Sequence, residues 1–209
     1  MNLDVQLPTS VAGTAPAIVP LVTGGRPARR FTVDEYHRMI ETGILTENDR
    51  VELLDGWILE MSPIGPPHAT CVALVAETLQ AVLPSGWHIR LQSPITLQTS
   101  EPEPDITVVQ GNIRDHVTHH PTGAEIALIV EVADSLPDYD RNSKRPHYAA
   151  AGIPEYWIVN FNDRQLEVYR GPVAGGDYLR PNVLDESSAV QLSLAGRVVG
   201  ALRVADMLP

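Results

Sequence analysis

The segment Pro104–Lys144, PDITVVQGNIRDHVTHHPTGAEIALIVEVADSLPDYDRNSK, carries the pattern on which the fold reading turns. Its first apolar run, ITVV from Ile106, is short and β-branched, as a buried strand should be. Its second, IALIVEVA (126–133), is nearly continuous and apolar, the pattern of a central strand covered on both faces. Asp105 stands at the head of the first run and Glu131 inside the second. An ionised glutamate in such a strand is costly unless it is paired or bound to a metal ion. Lys144 follows at the head of a helix expected over Ser143–Ala151 and closed by Gly152.

Upstream, Thr32-Val33-Asp34-Glu35 reads as a capping box that starts a helix running to Glu41 or Thr42 and stopping at Gly43. VELLDGWILEMS reads as two strands around Asp55-Gly56, a strong hairpin signal. Alternation alone makes Glu52, on its first strand, an outward polar residue. SPIGPPHAT is expected to be a loop, with His68 just before a helix over Ala69–Leu83 whose apolar residues (Cys71, Leu74, Val75, Leu79, Val82, Leu83) share one face. WHIRLQSPITLQ reads as a strand with Pro94 at an edge or bulge. His116, His119 and His120 cluster in the loop GNIRDHVTHHPTG. No carboxylate at a recognisable spacing accompanies them, so they read as a solvated loop rather than a zinc site.

Downstream, YWIVNF and LEVYR pair as strands, and short β-like segments recur at YLRP, AVQLSL and RVVGAL. Residues 1–28 read as a flexible arm, rich in Pro, Ala, Thr and Gly. Residues 29–209 read as a single domain, with 172–209 a β-rich C-terminal extension.

Composition narrows the function classes. With 209 residues, 44% of them hydrophobic and 20% charged, the chain describes a soluble globular protein with a real core. No apolar run approaches the roughly 20 residues that cross a bilayer, and the N-terminus is no convincing secretory signal. The lone Cys71 fits a reducing cytoplasm and excludes an internal disulfide. A net charge of −11 argues against coating nucleic acid through a broad basic surface. It does not exclude an enzyme that reaches phosphate through a divalent cation, because such a site needs acidic ligands.

Two carboxylates on neighbouring strands can converge on one hard cation such as Mg²⁺ or Mn²⁺. The metal makes a bound water a better nucleophile and offsets charge on phosphate. A nearby lysine can orient or deprotonate that water, or stabilise developing charge. Together these residues outline a phosphodiester-hydrolysis site. A glycosidase using paired carboxylates is the poorer reading, because aromatics make up only 5% of the chain and no sugar-cleft pattern is present.

From Phe31 to Arg170 the chain resembles the Uma family of putative restriction endonucleases, within the PD-(D/E)xK nuclease superfamily. The resemblance rests on VELLDGWILEMSP followed by His68, on Pro104-Asp105, on LIVEVADS, and above all on DRNSKRPHYAAAGIPEYWIV. It implies a restriction-endonuclease-like α/β (α+β) fold: a mixed central sheet flanked by helices, with an N-terminal helix and hairpin extension. It implies Asp105 and Glu131 as metal ligands for Mg²⁺ or Mn²⁺, Lys144 as the basic catalytic residue, and Glu52 as a further active-site carboxylate. It also raises His68 and Asp140 as lining or orienting groups. The superfamily lysine normally stands two residues after the acid, where this chain has Ala133; Lys144 must reach back from the helix to replace it.

The expected activity is metal-dependent cleavage of DNA by a cytoplasmic enzyme, possible as a homodimer because cutting both strands calls for two sites related by a two-fold. The alternative is a catalytically inactive nuclease-fold module that binds nucleic acid or a protein partner. Glu103 reads as peripheral, Asp134 as a turn residue, and Tyr148, Tyr156 and Trp157 as packing between helix and sheet.

Overall fold

The computed structural model describes residues 28–133 and 140–209, with the side chain at 140 also outside the description. The 1–27 part of the expected arm, the turn residue Asp134 and the side chain of Asp140 therefore lie outside the described residues.

The expected capping box opens α1 (Val33–Glu41): Thr32 accepts from Glu35 N, and the Glu35 carboxylate accepts from Thr32 N. The strands β1 (Val51–Leu54) and β2 (Trp57–Glu60) pair in antiparallel register, Leu54 facing Trp57, around Asp55-Gly56. Both turn residues have positive φ, 49° and 79°, as the two-residue hairpin turn requires. The hairpin is sewn to the segment that leads to Asp105. Glu101 N donates to Leu53 O (2.7 Å), Gly56 N to Thr99 O (3.0 Å), and Asp55 N to Ser100 Oγ (2.9 Å).

Six strands form the central sheet in the order β10-β7-β6-β5-β4-β3. They are β3 (Trp87–Leu91), β4 (Ile106–Gln110), β5 (Ile126–Ala133), β6 (Glu155–Asn160), β7 (Gln165–Arg170) and β10 (Asn182–Asp185). β5 and β6 pair in parallel and the other neighbours antiparallel, so the sheet is mixed. β5 is buried along its whole length, as its continuous apolar run requires.

Each face of the sheet has its own core. On one, α2 (Pro66–Gln80) lays Cys71, Val75 and Leu79 against Val108, Leu128 and Val130. On the other, α3 (Arg145–Ala150) brings Tyr148 and Ala149 against Ile129, Tyr156 and Ile158. The fold is thus an α+β mixed sheet flanked by helices, as expected.

After the short pair β8 (Pro172–Val173) and β9 (Asp177–Tyr178), β10 extends the sheet edge. The hairpin of β11 (Ala189–Leu194) and β12 (Arg197–Arg203) adds Val190, Leu192 and Leu202 to the core under α2.

Three local expectations shift. α2 begins at Pro66 rather than Ala69, because proline's fixed φ suits a first helical turn and its missing N–H would be unpaired there anyway. His68 therefore lies inside that turn. The strand expected through Pro94 ends at Leu91, where Gln92 takes a positive φ of 41°. Lys144 closes a five-residue π turn, Asp140–Lys144, and α3 follows it.

Candidate active site

The antiparallel register pairs Ile106 with Val130, which sets the residue before β4, Asp105, opposite Glu131. The backbones and carboxylates there hold each other. Asp105 N donates to Glu131 Oε2 at 3.2 Å, and Val132 N donates to Asp105 Oδ2 at 2.8 Å. His68, from the first turn of α2, reaches the other oxygen, with Nε2 2.9 Å from Oδ1.

Glu131 projects from the sheet face covered by α3. Lys144 Nζ lies 3.2 Å from its Oε1 and 3.4 Å from Glu52 Oε2. The Tyr148 hydroxyl donates to the same Oε1 at 2.8 Å. Glu52, Glu131 and Lys144 are all buried, and so close an arrangement is what compensates three desolvated charges. Ala133 shares the Glu131 face, two residues along the strand.

Glu52 is no outward polar residue. The hairpin is covered where it is tied to 99–101, so Glu52, Leu53 and Leu54 are buried in succession. Its Oε2 also accepts from Glu103 N at 3.2 Å. Glu103 is not peripheral either: it lines the same cleft, of about 470 Å³, with Arg50, Glu52, His68, Asp105, Glu131 and Lys144. Burial, then the charges of Glu52 and Asp105, push its carboxyl above the ordinary range against the opposing pull of Arg50 and Lys144. Burial, followed by the charge of Glu131, pushes the Tyr148 phenol well above its usual value and keeps it a donor.

By sequence alone Tyr148 reads as packing. The signal that could have found it is its spacing four residues beyond Lys144, which puts both on one side of a helical stretch. Asp140 contributes its backbone to the π turn that presents Lys144.

The residues present suit a hard divalent cation. Five carboxylates (Glu52, Glu60, Glu103, Asp105, Glu131) and two basic groups, Arg50 and Lys144, line one partly buried cleft, an excess of acidic groups that a bound cation offsets. Asp105 Oδ2 and Glu131 Oε2 each accept a backbone N–H, so the two carboxylates are held facing one another. By contrast, His116 and His119 stand elsewhere, and Glu125 supplies them with the carboxylate that sequence spacing did not suggest.

A mixed sheet that presents opposed acids and a helix-borne lysine at one end defines a restriction-endonuclease-like protein. The chain belongs to the Uma2 family, described as putative restriction endonuclease, whose model matches residues 33–204. Its fold is similar to the crystal structure of a putative nuclease belonging to DUF820 from Anabaena variabilis ATCC 29413. The TM-score is 0.65 at 16% identity, over 85% of this chain and 97% of that one. No curated protein matches the chain. Among the described residues no helix is long and apolar enough to cross a membrane.

Proposed function

We propose that this protein is a metal-dependent endonuclease that hydrolyses DNA phosphodiester bonds, with Asp105 and Glu131 as ligands for Mg²⁺ or Mn²⁺. The observation that carries the reading is the Asp105–Glu131–Lys144 constellation, in which acids from adjacent strands lock each other and a buried ammonium stands 3.2 Å from one of them. Bound between those acids, the cation would lower the pKa of water and offset negative charge on the phosphate.

The chain's own groups divide the remaining work. His68 and Val132 N fix the Asp105 carboxylate, and Tyr148 fixes Glu131. As water attacks phosphorus and the P–O bond to the leaving oxygen breaks, the Lys144 ammonium, held between Glu131 and Glu52, would stabilise the developing negative charge and give a proton from Nζ to the leaving oxygen, the neutral amine then taking one back from solvent. Glu52 keeps that lysine in place. The reading takes 29–209 as one catalytic domain, with 172–209 a β-rich extension that completes its sheet edge and core, and takes the working form as a cytoplasmic homodimer.

Cleavage of plasmid DNA by purified protein, with Mg²⁺ or Mn²⁺ and beside Asp105→Asn and Glu131→Gln, tests it. Loss of cleavage in both folded variants is the expected result, and cutting at the wild-type rate by both sinks the assignment. A second reading, an inactive nuclease-fold module that binds nucleic acid or a protein, draws on Ala133 at the usual lysine place and on the net charge of −11. It predicts no cleavage by the wild type with either metal.

A further inference from the structure

We propose that His116, His119 and Glu125 form a second cation site, built for Zn²⁺ or a similar late first-row divalent ion and separate from the acidic cleft. All three belong to the connection between β4 and β5. Two 3-10 turns shape it, Ile113–His116 and Gly123–Glu125, each opened by a capping box. One ligand atom from each of the three residues lies within 4.8 Å of the others. Tetrahedral Zn²⁺ with bonds of about 2.0–2.1 Å sets its donors roughly 3.3 Å apart, a difference that side-chain rotation on a surface connection closes.

The donors are prepared for a ligand. Both ring nitrogens of His116 are buried without a hydrogen-bond partner, a state that folded proteins normally avoid. Glu125 Oε2 accepts from Thr122 N (2.9 Å) and Thr122 Oγ1 (2.8 Å), which orients the carboxylate and leaves Oε1 for a cation. The His119 ring meets the His116 ring edge-on, with centroids 5.3 Å apart.

A further imidazole lies next to His116, outside the group of three. His88, on β3, has its Nδ1 3.2 Å from Gly111 O. A carbonyl only accepts, so Nδ1 carries the proton and Nε2 presents its lone pair. That Nε2 is also buried without a partner, and the ring centroid is 5.6 Å from that of His116. His120 is engaged differently, with Nδ1 3.4 Å from Arg90 Nη2.

Imidazole with one carboxylate is a donor set for Zn²⁺ rather than Mg²⁺. At roughly 3.3 Å per residue, the length of β4 puts this site about 16 Å from the acidic end. Two cations that share one phosphate stand only about 3.5–4 Å apart, so the role here is structural: an ion would tie the two turns of the connection together.

Zn²⁺ titration of tag-free protein, in competition with a chromogenic chelator, tests the proposal. The comparison is among wild type, Asp105→Ala/Glu131→Ala, His116→Ala/His119→Ala and Glu125→Gln, with circular dichroism checking each fold. We expect one Zn²⁺ per chain in the wild type and in the acidic-cleft variant, and at least about 100-fold weaker binding in the double histidine variant. Glu125→Gln, which leaves both histidines in place, should bind at least about tenfold more weakly. Replacing Zn²⁺ by Co²⁺ should give the intense visible bands of tetrahedral coordination. Absence of Zn²⁺ binding by the wild type overturns the proposal. So does binding lost only with Asp105 and Glu131, because the ion then sits in the acidic cleft.

Discussion

The Tyr148 hydroxyl donates to Glu131 Oε1 at 2.8 Å, on the same oxygen that Lys144 Nζ approaches at 3.2 Å. A residue that packs the sheet is therefore also a partner of its buried carboxylate. The helix that covers this face and the π turn that leads into it supply a neutral and a charged donor to one oxygen, which fixes the orientation of Glu131 toward Asp105.

Tyr148→Phe keeps the ring contact with Tyr156 and removes only the hydroxyl. The buried carboxylate then loses a donor, and urea unfolding of the metal-free protein should show a loss of about 1–3 kcal/mol. Mn²⁺ affinity, read by calorimetry, should fall as well, because Glu131 loses a donor that orients its carboxylate.

Lys144→Met replaces the ammonium by an apolar chain of similar length. Glu52 and Glu131 are then buried together without their cation, and breaking such a cluster costs about 3–5 kcal/mol. Mn²⁺ should raise the melting temperature of this variant more than that of the wild type, because the ion takes over part of the charge compensation. Cleavage should fall by about 10²- to 10⁴-fold, the usual contribution of a positioned acid or base. An equal Mn²⁺ shift in both proteins would remove Lys144 from the cluster's charge balance.

His68→Ala removes the group 2.9 Å from Asp105 Oδ1 without touching the acid itself. Groups that orient a ligating carboxylate typically contribute about 10- to 100-fold in metal affinity. A Mn²⁺ titration should show a loss in that range with the fold intact, and His68→Gln should recover part of it.

Glu103 makes metal-free stability depend on pH. Burial raises its folded-state proton affinity above the unfolded value, so the native state binds more protons than the unfolded chain just above the ordinary carboxylate range. Stability contributed at low pH is therefore lost as pH rises through the raised folded value. Glu103→Gln should flatten this part of the curve and leave the variant more stable than wild type near neutral pH, measured by urea unfolding from about pH 4 to about pH 7. Saturating Mn²⁺ should shrink the difference, since the ion offsets the same charge.

Much of the site was legible before any fold was known, for reasons particular to each residue. Glu131 announced itself because an acid interrupts an eight-residue strand that is otherwise apolar and entirely buried. The hairpin followed from Asp55-Gly56, whose two positive φ values are a local demand of the turn. The capping box at Thr32 is equally local.

Glu52 was legible as a candidate-site residue only through family resemblance, since its own strand pattern pointed it outward. Glu103 and Glu125 gave no spacing that marks a site, and Tyr148 gave only its separation of four residues from Lys144. Glu125 lies in a different 3-10 turn from His116, and only the path of the connection brings the two together.

Strands, turns and caps are properties of a few adjacent residues, and the periods of 2 and 3.6 write them into the chain directly. For this protein that was enough for the order of helices and strands and for two acids on consecutive strands; the mixed sheet itself came from the family resemblance. Convergence depends on register and on which surfaces dock, and these are set by packing between distant segments. The hairpin's bonds to residues 99–101 buried Glu52 beside Glu103, and the packing of α3 on the sheet delivered Lys144 and Tyr148 to Glu131. The acids were written locally; their partners were chosen by tertiary contacts.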